Sequence, residues 1–223
     1  MIKIKNLHKT YKTKDIETAV LRGIDLEVKE GEFLGIMGKS GAGKSTLMYQ
    51  ISLLDHPTSG EIILNGINTE KLSTEERTNM RLTSLGYVFQ DYALIPELTA
   101  IENVMIPLLM KGLSKEKAKT ISKKMLERIG LLHRIDNKPS QLSGGEQQRV
   151  SIGRATAHDP KILFADEPTA NLDTASGHAI MELFKDLHSK GQTIVMVTHE
   201  DDYAKYCDRI IYLEDGKIVR ESK

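Results

Sequence analysis

Residues 33–46 read Phe33-Leu34-Gly35-Ile36-Met37-Gly38-Lys39-Ser40-Gly41-Ala42-Gly43-Lys44-Ser45-Thr46, and this stretch decides the architecture. Phe33 to Met37 is a short apolar run, the pattern of a buried strand, and Ser45 to Leu54 has helical spacing that stops before His56-Pro57. Between them, Gly38 to Ser45 fits G-x-x-x-x-G-K-[ST] in the strand–loop–helix context that the pattern requires. Glycines let the backbone turn successive N–H groups toward one anion, and the helix that follows aims its positive end at the same point. Lys44 has the reach for β- and γ-phosphates, and the Ser45 hydroxyl suits a magnesium ion. The loop Gly38, Lys39, Ser40, Gly41, Ala42, Gly43, Lys44 and Ser45, with Thr46 behind it, is read as a nucleoside triphosphate site.

Outward from this loop, strands and helices alternate. Ile2 and Ile4 alternate with lysines, Ala19 to Val28 reads as a second strand closed by Glu30-Gly31, and Glu61 to Leu64 runs into an Asn65-Gly66 turn. From Asp91 to about His158 the pattern is helix-rich, with Ser114 to Ile129 ending at Gly130. Strands return at Ile162–Ala165 and Thr193–Val197, around a helix from Thr174 to Lys190 that ends at Gly191. Arg209–Leu213 and Lys217–Arg220 flank Asp215-Gly216, a hairpin signal. The expected fold is α/β: a phosphate-loop NTPase core with a mainly parallel sheet, a small antiparallel β lobe and a helical insert. It is read as one domain over 1–223, with 1–90 and 159–223 forming the core and β lobe and 91–158 the helical subdomain.

Composition removes several classes of function. The 223 residues carry 31 Lys plus Arg and 31 Asp plus Glu, a formal net charge of zero. That lacks the basic footprint of a nucleic-acid binder, and none is expected as a partner. Hydrophobic residues at 39% and charged residues at 28% describe a folded chain and not a disordered one. The single cysteine, Cys207, makes neither an internal disulfide nor a cysteine zinc site, which suits a reducing compartment. The N-terminus, MIKIKNLHKT, lacks the apolar core of a signal peptide. The longest apolar run, Val104 to Met110, is broken by Pro107 and falls far below the roughly 18 residues of a membrane span.

A second chemical group follows the apolar run Ile162-Leu163-Phe164-Ala165 as Asp166-Glu167-Pro168. A carboxylate at the C-terminal end of a buried parallel strand lies where doubly wound sheets place ligands. Asp166 is placed to hold Mg²⁺, directly or through water, and Glu167 to polarise a water for attack on a γ-phosphate.

With both groups found, nearly the whole chain resembles the ATP-binding-cassette ATPases. Leu142-Ser143-Gly144-Gly145-Glu146-Gln147 is similar to the family signature LSGGQ, with glutamate in its last position. The phosphate loop, Gln90, the signature, Asp166-Glu167, Asn171-Leu172-Asp173 and His199 stand in the family order. The resemblance implies that Tyr11 stacks on adenine, that Gln90 reaches Mg²⁺ and the attacking water, that Asp173 closes a loop at a dimer interface, and that His199 contacts the γ-phosphate. Ser143-Gly144-Gly145 opens a predicted helix, whose hydroxyl and N–H groups form an anion site. In the family that site faces the other subunit's phosphate loop, which implies a homodimer on ATP binding with two shared sites. Gly153 and Thr156 depart from the alanine and leucine common after the signature and lower its helix propensity.

Phe89 to Pro96, Leu98 to Val104 and Ala170 to Asp173 bring the sequence nearest to the transporter ATPases of the lipoprotein-releasing and macrolide-efflux group. That implies a cytoplasmic ATPase subunit, peripheral on the inner face of the membrane, using ATP and Mg²⁺ to drive a separate permease in lipoprotein, peptide or drug export. The apolar, irregular segment with Tyr92, Leu94, Ile95 and Leu98 is the expected docking point for the permease. The alternative is a soluble cassette protein of translation or DNA repair. Tandem cassettes or a long coiled-coil insert usually mark that class, and neither is visible. A phosphate-loop nucleotide kinase would leave the signature unexplained.

Overall fold

A computed structural model describes residues 1–13 and 16–222. In chain order the elements are β1 (Ile2–Lys12), β2 (Glu17–Val28), β3 (Phe33–Met37), α1 (Lys44–Ile51), β4 (Ser59–Leu64), β5 (Ile67–Asn68), α2 (Thr74–Ser84) and β6 (Leu85–Val88). Then come α3 (Ala100–Met110), α4 (Lys115–Arg128), α5 (Gly144–Thr156), β7 (Ile162–Asp166), α6 (Thr174–Ser189), β8 (Thr193–Val197), α7 (Asp201–Ala204), β9 (Arg209–Glu214) and β10 (Lys217–Ser222).

The strands form two sheets. A four-stranded antiparallel sheet in the order β2-β1-β4-β5 is the β lobe, and a six-stranded sheet runs β10-β9-β3-β8-β7-β6. Every neighbouring pair from β9 to β6 is parallel, and only β10 runs antiparallel, closing the Asp215-Gly216 hairpin. The continuous apolar runs of β3, β7 and β8 follow from burial of both faces, since successive side chains point to opposite sides of a sheet. Leu34, Ile36, Ile162, Phe164, Val195 and Val197 pack with α1 and the β lobe. Phe33, Leu163, Ala165, Ile194 and Met196 pack with Ile180, Met181 and Phe184 of α6.

A third core joins α3, α4 and α5 through Ile101, Val104, Leu108, Leu126 and Val150. Pro107 does not end α3, which continues through it to Met110. The carbonyl that a proline leaves without its usual partner belongs to Asn103. The buried Asn103 amide donates to the carbonyls of Ile95, Leu98 and Thr99, stapling the preceding loop to the helix. Gly153 is also more than a weak helix former. A Cβ there would stand 3.0 Å from Ile129 Cδ1 and 3.4 Å from Met125 Cγ, so the glycine lets α5 approach α4 closely. Helix α2 and strand β6 go beyond what the sequence reading named. The signal for α2 is present as a capping box, Ser73 with Glu76, and β6 is only four residues long.

No helix among the described residues is long and apolar enough to cross a membrane.

Candidate nucleotide site

The strand order places the chemistry. The phosphate loop follows β3, His199 lies just beyond β8, Asp166 ends β7 with Glu167 next, and Gln90 lies just beyond β6. These four strands are neighbours in the order β3-β8-β7-β6, so residues far apart in sequence gather at the C-terminal edge of one parallel sheet.

A cavity of about 690 Å³ opens there, lined by Gly38 to Gly41, Gly43 to Thr46, Glu167, His199 and Val20. Val20, from β2, is a lining residue that sequence reasoning missed; nothing in its local pattern separates it from its strand neighbours. Gly38 has φ 149° and a Cβ on it would lie 2.2 Å from the Leu213 carbonyl oxygen, so no other residue fits. Gly43 caps α1 without a side-chain hydrogen bond, leaving the helix's first N–H groups for an anion. Lys44 is buried and donates to the carbonyls of Gly38 at 2.9 Å and Lys39 at 3.1 Å, bracing the loop from inside.

Ser45 Oγ lies 3.3 Å from Asp166 Oδ1, and Tyr87 donates to Asp166 Oδ2 at 3.4 Å. Burial pushes the Asp166 carboxyl up, and Glu167 adds to this, against the Ser45 and Tyr87 hydrogen bonds and the charge of Lys44. Ser45 and Asp166 are hard oxygen donors and fit magnesium in kind. No trio of His, Cys, Asp and Glu able to hold a metal occurs among the described residues. Glu167 sits at φ 45°, a costly conformation held by its N–H donating to the Val197 carbonyl at 3.0 Å. Its Oε2 lies 3.4 Å from His199 Nδ1.

The other residues named from the sequence stand outside this cavity. Gln90 is exposed, and its carbonyl accepts from Asn171 Nδ2 at 3.1 Å. Ser143 is the N-cap of α5 in a reciprocal capping box with Glu146. Asp173 caps α6, accepting from the Ser176 N–H and hydroxyl. Two side chains of α5 tie these pieces together, and sequence reasoning named neither. The buried Gln148 donates to the Phe89 and Pro168 carbonyls, while Arg154 donates to those of Tyr92 and Ala93. The signature helix therefore grips both the glutamine loop and the segment after the acidic pair.

Tyr11 donates to Asp55 Oδ2 at 2.9 Å, and Lys9 Nζ lies 4.6 Å from its ring centroid. Asp55 also pairs with Lys9 at 2.8 Å and accepts from Gln50 and the His56 N–H. Partial burial opposes ionisation of Asp55, but the hydrogen bonds from Lys9, His56, Tyr11 and Gln50 outweigh it and hold the carboxyl at about 2. A carboxylate whose folded pKa is depressed stabilises the fold above its unfolded pKa, and that stability is lost as pH falls through the folded value. Asp55→Asn is therefore expected to lower the melting temperature at neutral pH, with the difference from the unaltered chain shrinking between about pH 4 and pH 2. Melting curves over that range check it; a gap that stays constant would mean Asp55 contributes no linked stability.

A phosphate loop, an acidic strand end and a histidine on adjacent parallel strands define a phosphate-loop nucleotide hydrolase. The sequence model of the ABC transporter family matches residues 21–170, and the chain belongs to that family as an ATP-binding, ATP-hydrolysing cassette. It is 47% identical to the uncharacterized ABC transporter ATP-binding protein MJ0796 of Methanocaldococcus jannaschii, covering 100% of this chain and 97% of that one. It is 48% identical to the lipoprotein-releasing system ATP-binding protein LolD of Aquifex aeolicus, over 91% of this chain and 90% of that one. It is 45% identical to the macrolide export ATP-binding/permease protein MacB of Chlorobaculum tepidum, of which this chain spans 34%. The solved dimer of MJ0796 in a post-hydrolysis state, bound to ADP and Pi, superposes with a TM-score of 0.93 at 45% identity, covering 100% of this chain and 98% of that one.

Proposed function

We propose that this chain is the ATPase subunit of an export-type ABC transporter, in which two copies close around two Mg-ATP and the closure drives a separate membrane permease. One observation carries the reading. Ser143, Gly144 and Gly145 lie outside the cavity that the chain's own phosphate loop lines, so a single copy holds two half-sites that do not meet. A twofold arrangement joins each phosphate loop to the other copy's signature. Among the described residues, the N–H groups of Gly144 and Gly145 have no protein acceptor, as an anion-binding helix end requires.

In this site the phosphate-loop N–H groups and Lys44 bind the phosphates, and Ser45, Asp166 and Gln90 would hold Mg²⁺. The ion supplies charge neutralisation on the phosphate oxygens. Glu167 takes a proton from water as the water oxygen bonds to the γ-phosphorus and the bond to the bridging oxygen breaks, releasing ADP and phosphate. His199 orients Glu167 and contacts the γ-phosphate, while Tyr11 stacks on the adenine and Asp173 lies at the subunit contact. Residues 1–90 and 159–223 act as the catalytic core, and 91–158 as a helical subdomain moved by nucleotide. The lipoprotein-releasing and macrolide-export relatives favour lipoprotein, peptide or drug cargo and a place on the cytoplasmic face of the membrane.

The permease docks at the segment after Gln90, and the four side chains there differ in burial. Ile95 is 41% exposed, whereas Leu94 packs on the helical core and Tyr92 and Leu98 are half-buried. Ile95→Asp is therefore the clean test, because Leu94→Asp would also damage the fold. The chain with Ile95→Asp is expected to keep its basal ATPase and lose co-purification with an integral membrane protein. Wild-type recovery of that membrane protein would overturn the docking assignment.

A further inference from the structure

Glu146 brings a carboxylate into the first turn of α5, beside the two N–H groups left for an anion. Its Oε2 accepts from the Ser143 N–H at 2.8 Å and its Oε1 from Arg134 Nε at 3.1 Å. The Glu146 side chain is only 14% exposed. The Ser143 N–H holds the carboxyl below the usual carboxylate range; partial burial opposes this, and Arg134 and the Ser143 hydroxyl reinforce it. A full negative charge therefore occupies the helix end. Such a charge favours the helix dipole, but it repels a phosphate brought to the same place. Arg134 comes from the short turn Leu132–Arg134, and among the described residues Glu146 is its ion-pair partner.

We propose that Arg134 is a positioning residue for the signature. It neutralises the Glu146 carboxylate and pins it in the capping box, so that Gly144 and Gly145 can receive the γ-phosphate held by the second copy. This rests on the composite-site reading above. It explains how the chain works with glutamate where the family pattern has neutral glutamine.

The test is a double-mutant cycle on the full chain, with folding checked by circular dichroism. Arg134→Met, read by size exclusion in a Glu167→Gln background, is expected to need about tenfold more ATP to dimerise, because an uncompensated charge beside phosphate costs about that factor. The affinity of the dilute monomer for a fluorescent ATP analogue should not move. Adding Glu146→Gln removes the carboxylate and should restore dimerisation to the level of Glu146→Gln alone. Arg134→Lys keeps the charge and, in the same background, should dimerise within about twofold of the chain with Glu167→Gln alone; it carries the comparison, against Arg134→Gln, if the methionine variant does not fold. A defect that persists in the Arg134→Met, Glu146→Gln chain would make Arg134 a structural pin and overturn the proposal, as would dimerisation at wild-type ATP in Arg134→Met. Ser143→Arg in the same assay separates the two failures. If it too dimerises normally, the composite site has failed; if it alone is defective, only charge compensation has.

Discussion

Glu167→Gln is expected to bind ATP with unchanged affinity and to hydrolyse it on the order of 10²–10⁴-fold more slowly, the range that a positioned general base contributes. The amide keeps the size and the backbone of the carboxylate but accepts no proton from water. At its φ of 45° the Glu167 N–H bonds to the Val197 carbonyl, and the replacement keeps that backbone bond, so it should leave the loop in place. Because the closed state is then no longer consumed, an ATP-bound dimer should accumulate and elute at twice the monomer mass. Single-turnover hydrolysis and size exclusion with ATP measure both effects. Turnover at the wild-type rate would assign the base to another group.

Ser143→Arg should abolish hydrolysis, with a loss on the order of 10²–10³-fold or more, as for removal of preorganised donors to a developing charge. The serine hydroxyl caps the Glu146 N–H at 3.3 Å, and an arginine loses that cap and fills the space an incoming phosphate needs. The affinity of the isolated monomer for ATP should be nearly unchanged, because Ser143 does not line the cavity of its own phosphate loop. A mixture with Lys44→Ala chains distinguishes shared sites from a misfolded helix. In the heterodimer both lesions fall in one composite site and the other keeps an unaltered loop and signature, so the mixture should regain activity. Heterodimers shown to form without any regain would argue that each chain hydrolyses ATP alone.

Several parts of this molecule are legible in one dimension because their chemistry is local. The spacing of Gly38, Gly43, Lys44 and Ser45 works within one loop, where backbone N–H groups surround an anion with little help from elsewhere. Ser143-Gly144-Gly145 reads as the start of a helix, and the structure puts Ser143 at the N-cap of α5 in a capping box with Glu146 that closes within four residues. The apolar runs of β3, β7 and β8 announce a sheet covered on both faces. Helix boundaries also follow, with α4 and α6 falling within a residue or two of their glycine stops.

Tertiary structure decided what depends on partners distant in the chain. The order β3-β8-β7-β6 brings Lys44, His199, Glu167 and Gln90 to one edge, and no local pattern specifies which parallel strands become neighbours. Val20 lines the cavity only because β2 crosses beside the phosphate loop, and Asp55 holds Tyr11 from 44 residues away. Exposure in the segment after Gln90 depended on the α3–α5 core, which takes Leu94 inward and leaves Ile95 outside. Pro107 and Gly153, which sequence alone reads as a break and a weak point, are accommodated in the helical core. The close approach of α4 and α5 at Gly153 is available only after folding. Bond geometry within a few residues determined the motifs; long-range packing determined which of them face one another.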